Sequence, residues 1–121
     1  MSSATAMIEK FRVPASRVEA LYELGLSKDE IHTLIVPRRT LQRRIKQGEQ
    51  LSLEESDRVQ RIERVLAHAD RVFGNPEKAR RWLRKPNRAL DSAVPLDLLE
   101  SETGAFQVEQ SLHAIDFGMF S

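Results

Sequence analysis

The chain has 121 residues, no cysteine and a formal net charge of +1. Without thiols it holds no disulfide scaffold, thiolate zinc site or cysteine nucleophile, which suits a reducing cytoplasm. No apolar run is long enough to span a bilayer, and "MSSATAMIEKF" lacks the basic start and apolar stretch of a secretory signal.

Hydrophobic spacing is helical nearly throughout, with no strand-like alternation, so the expected class is all-α. Val18, Leu21, Tyr22 and Leu24 predict a short helix behind Ser16 as N-cap, stopped by Gly25. Ser27 with Glu30 three residues on predicts a capping box, followed by Ile31, Leu34 and Ile35 facing inward. Pro37 suits the first turn of the next helix, in which Thr40, Leu41, Arg44 and Ile45 run to a stop at Gly48. Ser52 and Glu55 predict a second capping box. It opens the longest helix, through Val59, Ile62, Val65, Leu66, Ala69, Val72 and Phe73 to Gly74. Asn75 caps a helix that begins at Pro76, turns Ala79, Trp82 and Leu83 inward and ends at Pro86. A short helix is expected from Pro95. Thr103 is expected to cap the last one, with Val108, Leu112 and Ile115 on one face and Gly118 behind it.

Charge is partitioned along this chain. Residues 1–57 balance nine basic against nine acidic side chains. Residues 58–88 carry ten basic and three acidic, and residues 89–121 carry six acidic and no basic ones. Such a chain suits two chemically different partners, or pairing with a copy of itself. The segment "VPRRTLQRRIKQG" holds five cations and no acid, and follows a capped helix and a tight turn at Ile35–Val36. A helix-turn-helix has this arrangement, its second helix entering the major groove N-terminus first. Arg38, Arg39 and Gln42 would face base edges; Thr40, Arg43 and Lys46 would face phosphates. The bland alternative is a solvated basic face. Arg58, Arg61 and Arg64 share one face of the long helix, and a solvated face is the expectation there. Glu100 and Glu102 precede the last helix, where the dipole favours negative charge.

Catalytic patterns are missing. His32, His68 and His113 are far apart in sequence, and His113 with Asp116 reads as a surface helical pair, because no third metal ligand is evident. There is no nucleophile elbow and no phosphate-cradling loop, since "FGNPEK" lacks the required spacing. The expectation is a binding protein, with no enzymatic activity, no cofactor, no metal and no membrane partner.

The pieces "RTLQRR", "LSLEESDRV", "VFGNPEKARRWL", "KPNRAL…PLDLL" and "TGAFQVEQSL…IDFG" occur in an order and spacing that resembles the Xre/MbcA/ParS antitoxins, partners of RES-domain toxins. The resemblance covers roughly residues 16–121 and leaves 1–15 as an N-terminal extension. It implies an Xre-like helix-turn-helix region at about 16–50 and a helical toxin-binding domain at about 51–121. It implies a cytoplasmic type II antitoxin that blocks the active site of an NAD-consuming toxin with its C-terminal region. It also implies repression of its own operator DNA, homodimers and larger toxin–antitoxin complexes. On that footing Glu109, Asp116, Gly118, Met119, Phe120 and Ser121 are the expected toxin contacts, while Phe117 is expected to pack on the Val108 side of the core. The alternative is a stand-alone dimeric helix-turn-helix repressor.

Overall fold

The computed structural model describes residues 3–118. Among the described residues seven α-helices and two 3₁₀ turns follow one another: α1 (Ser3–Glu9), α2 (Arg17–Glu23), α3 (Lys28–Leu34), α4 (Arg38–Gln47), α5 (Leu53–Phe73), α6 (Pro76–Leu83), η1 (Arg88–Leu90), η2 (Pro95–Glu100) and α7 (Glu102–Asp116). Among the described residues there is no named strand, only the isolated bridges Pro14–Gln50 and Asn87–Ala93. The all-α expectation holds. The chain forms two compact units, residues 1–60 and 61–121, and α5 begins in the first and ends in the second.

In the first unit the predicted caps form. Ser27 N–H donates to Glu30 Oε1 (2.8 Å) and Glu30 N–H to Ser27 Oγ (3.1 Å). Ser52 and Glu55 repeat this at 2.9 and 3.1 Å. Gly48 takes the left-handed conformation (φ 67°), and Glu49 N–H reaches back to the Arg44 carbonyl (2.8 Å), which closes α4. Val18, Leu21, Ile31, Leu34, Ile35, Val36, Leu41, Leu51 and Val59 are buried together here. Each fully buried aliphatic side chain contributes about 1.5–3 kcal/mol.

The segment before α2 belongs to this core. Val13 N–H donates to the wholly buried Ser56 Oγ (3.0 Å), Leu51 N–H to the Val13 carbonyl (2.9 Å), and Arg12 Nε to the Leu51 carbonyl (2.8 Å). Helix α1 differs: none of its residues is buried, and Met7, Ile8 and Phe11 are exposed.

In the second unit the core is Ile62, Val65, Leu66 and Ala69 of α5, Ala79 and Leu83 of α6, Leu90, Leu96 and Leu99 of the 3₁₀ turns, and Ala105, Val108 and Leu112 of α7. Asn75 Oδ1 caps α6 by accepting from Glu77 N–H (2.8 Å) and Lys78 N–H (3.3 Å). Helix α7 lies so close to η2 that a Cβ on Gly104 would overlap the Leu98 carbonyl oxygen.

Several local expectations need correction. Ser16 makes no side-chain cap, because its backbone is already helical (φ −62°, ψ −20°). Ser101, not Thr103, caps α7: its Oγ accepts from Gly104 N–H (3.0 Å), and Thr103 lies inside the first turn. The segment after Pro95 is a 3₁₀ turn rather than an α-helix. Leu24 and Ile45 are exposed, Ile45 at 51%. Phe117 is 78% exposed and does not pack on the Val108 side, because α7 ends one residue earlier and Gly118 (φ 74°) turns the chain.

Candidate functional site

The first candidate surface is built on α3 and α4. Ile31 receives the turn: Ile35 N–H and Val36 N–H both donate to its carbonyl, at 2.9 and 3.3 Å. His32 Nδ1 donates to the Val36 carbonyl (3.0 Å), and Arg58 Nη1 to the Ile35 carbonyl (3.1 Å). The turn carbonyls are thus satisfied from both sides, which fixes the angle at which α4 leaves α3.

On α4, Leu41 is the residue that enters the core. Arg38, Arg39, Gln42, Arg43 and Lys46 are exposed and Thr40 is half-buried. The side chains of Arg38, Arg39 and Lys46 have no ion-pair or hydrogen-bond partner among the described residues, while Arg43 Nη1 lies 3.7 Å from Glu49 Oε2. Arg44 differs from the rest of the run. Its Nε lies 2.7 Å from Glu55 Oε1, and its Nη1 donates to Glu49 Oε2 (3.2 Å). It is a structural clamp between α4 and the start of α5. Tyr22, Lys28 and His32 join Arg38, Leu41, Gln42 and Ile45 around a cleft of about 250 Å³. Tyr22 and Lys28 were not legible as part of this surface, because they come from other helices.

The second candidate surface is the acidic end. The arginine face of α5 is not simply solvated, as the spacing led one to expect. Arg61 Nε donates to Glu102 Oε2 (3.0 Å), and its Nη1 to the carbonyls of Leu99 (3.3 Å) and Glu100 (3.1 Å). Arg64 Nη2 donates to Glu102 Oε1 (2.6 Å) and Nε to Glu109 Oε1 (3.1 Å). This bracket ties η2 and the start of α7 to α5. The hydrogen bond from Arg61 is the main reason the Glu102 carboxyl sits below its usual range; burial opposes it and Arg64 adds to it.

Glu109 is therefore held by Arg64, while Asp116 and Gly118 are exposed at the end of α7. Met119, Phe120 and Ser121 lie outside the described residues. His113 meets the ring of His68, centroids 4.6 Å apart. His68 is held below the ordinary histidine value, first by burial and then by His113; Arg71 acts the same way, and Glu109 and Asp116 oppose. Among the described residues, no three His, Asp or Glu side chains come together as metal ligands, and no helix is long and apolar enough to cross a membrane.

Both parts of the chain match known protein families. Residues 12–64 match the antitoxin Xre-like helix-turn-helix domain, and residues 68–118 match the antitoxin Xre/MbcA/ParS C-terminal toxin-binding domain. The chain is 31% identical to an antitoxin Xre of Yersinia enterocolitica, over 96% of this chain and 91% of that one. It is 40% identical to an antitoxin Xre of Pseudomonas putida over 81% of this chain, and spans 62% of that relative's length. Its fold is similar to that in a crystal structure of the M. tuberculosis MbcT–MbcA toxin–antitoxin complex. The TM-score is 0.67 at 24% identity, over 88% of this chain and 96% of that one.

Proposed function

The chain belongs to the Xre/MbcA/ParS antitoxin family, and from that premise we propose that it is a cytoplasmic type II antitoxin. It binds a RES-type, NAD-consuming toxin with residues of its second unit and represses its own operon through α4. The observation that carries this reading is the coexistence, in one short chain, of a helix-turn-helix match and a toxin-binding match. The protein acts by occupying surfaces, so it needs no catalytic group, metal or cofactor.

Toxin inhibition is assigned to the end of α7 and the tail that follows. Asp116 and Gly118, with Met119, Phe120 and Ser121, enter the active site, and Glu109 supports them from inside the helix. The six acidic and no basic residues of 89–121 suit a pocket built for the phosphates of NAD, which is itself basic. DNA binding is assigned to Arg38, Arg39 and Gln42 at base edges and to Thr40, Arg43 and Lys46 at phosphates. A homodimer places two such helices on two half-sites.

The test is genetic and biochemical together. A RES-type reading frame beside this one should arrest growth when expressed alone. Co-expression of this chain should restore growth, and the two proteins should co-purify. A neighbouring frame that is harmless, or one that stays lethal beside this chain, would contradict the assignment.

A further inference from the structure

Residues of the second unit enclose an apolar groove of about 610 Å³, lined by Phe73, Trp82, Asn87, Arg88, Ala89, Ser111 and Ile115. The rings of Phe73 and Trp82 stand 5.8 Å apart at 46° and form one wall. Another part of the lining, Asn87, Arg88 and Ala89, belongs to a loop fixed by its own hydrogen bonds. Asn87 Oδ1 accepts from Ala89 N–H (2.8 Å), the Asn87 carbonyl accepts from Ser92 N–H (2.9 Å), and Asn87 N–H donates to the Ala93 carbonyl (3.0 Å). Asp91 and Ser92 hold left-handed backbone at φ 53° and 66° to make this turn. A groove whose rim is tied in this way is preformed, so a partner would enter it without first ordering the loop.

We propose that this groove seats an apolar side chain of the toxin, flanked on the toxin's own segment by a carboxylate that pairs with Arg88. The proposal rests on the antitoxin reading given above and adds a second point of attachment next to the C-terminal tail, since Ile115 lines the groove and Asp116 follows it. Two observations choose the occupant. First, every lining residue falls between 73 and 115, inside the stretch 68–118 that matches the toxin-binding domain. Second, the segment that leads into the rim is basic, whereas Asp91 in the rim loop and Asp116 beyond Ile115 are the acids nearest in sequence. Residues 78–88 contain Lys78, Arg80, Arg81, Arg84, Lys85 and Arg88 and no acid. Arg88 is exposed and has no ion-pair or hydrogen-bond partner for its guanidinium among the described residues. An apolar anchor in a desolvated pocket gives affinity, and a charge at its rim gives orientation. Engagement of the groove would hold the toxin while the acidic tail enters the active site.

The experiment uses the full chain and the RES-type toxin encoded beside it, with affinity read by calorimetry. Ala89→Trp fills the groove from an exposed position, and Arg88→Glu reverses the rim charge. Each should weaken toxin binding at least tenfold while leaving the melting temperature and promoter affinity unchanged. Arg88→Lys should stay within threefold of the parent. If the parent binds the toxin and Ala89→Trp binds equally well, the groove assignment is overturned and the antitoxin reading stands. If Ala89→Trp abolishes only self-association in the ultracentrifuge, the occupant is a second copy and the proposal fails. If the parent shows no affinity for the toxin, the antitoxin reading fails and the groove assignment with it.

Discussion

Arg44 and Arg38 stand in the same basic run, yet the structure gives them different physics. Arg38 projects into solvent without an acidic partner, whereas Arg44 is 14% exposed and faces Glu55, itself 11% exposed by side chain. Removing Arg44 leaves the Glu55 carboxylate without its cation in a place water hardly reaches. Arg44→Ala should therefore destabilise by about 3 kcal/mol, the low end for breaking a buried pair, because both side chains keep some solvent. In thermal unfolding that is a drop of about 10 °C. Arg38→Ala should leave the transition within a degree or two, and equal melting points for the two variants would contradict this division.

His68 makes a second prediction at the same scale. Its folded value is depressed, mainly by burial and then by His113, so folding favours the neutral ring. The stability it contributes is complete above the unfolded value, about pH 6.5. It is lost as pH falls below that and the unfolded chain takes up the proton first. Glu109 and Asp116 soften this loss and Arg71 adds to it. Between pH 7.5 and 5 the melting temperature of the parent should fall more than that of His68→Gln. Parallel curves would show that His68 is not the group responsible.

At the scale of elements, α4 is the unit to test. Its cation-bearing face stays open because Leu41 turns the opposite face into the core. Arg38→Ala with Arg39→Ala should weaken operator binding by about one to two orders of magnitude and narrow the gap between operator and unrelated DNA, because both are assigned to base edges. Unchanged affinity at matched salt would remove α4 from the DNA interface. This helix was legible in the amino-acid sequence because its signals are local: the Ser27–Glu30 box, Pro37 and Gly48 lie within a few residues of what they control. The Ser52–Glu55 box and the Asn75 cap were legible for the same reason. The Arg61 bracket was not, because its partners Leu99, Glu100 and Glu102 lie about forty residues away in the chain. The groove was hidden for a related reason: its rim depends on left-handed backbone at Asp91 and Ser92, residues that carry no glycine signal. Thr103 was mistaken for a cap because Ser101, two residues earlier, offers the same hydroxyl chemistry and only the backbone at that point decides between them.

For the molecule as a whole, the partition of charge matters more than its sum. A net charge of +1 conceals a basic middle and an acidic end, and the structure uses part of each in the bracket of Arg61 and Arg64 on Glu102 and Glu109. Among the charged and apolar side chains that remain exposed are Arg38, Arg39, Arg43 and Lys46 on α4, Arg88 at the groove, and Asp116 with Phe117 at the end of α7. These remnants are the surfaces on which the functional account depends. The account assigns regulation to the first unit and protection to the chain end, so the two should separate. The most direct measurement is growth rescue by a chain lacking Gly118–Ser121, expressed beside the neighbouring toxin, with operator affinity of the same variant measured in parallel. The account predicts that rescue is lost or strongly weakened while operator affinity stays within about threefold of the parent. Full protection by the shortened chain would contradict it.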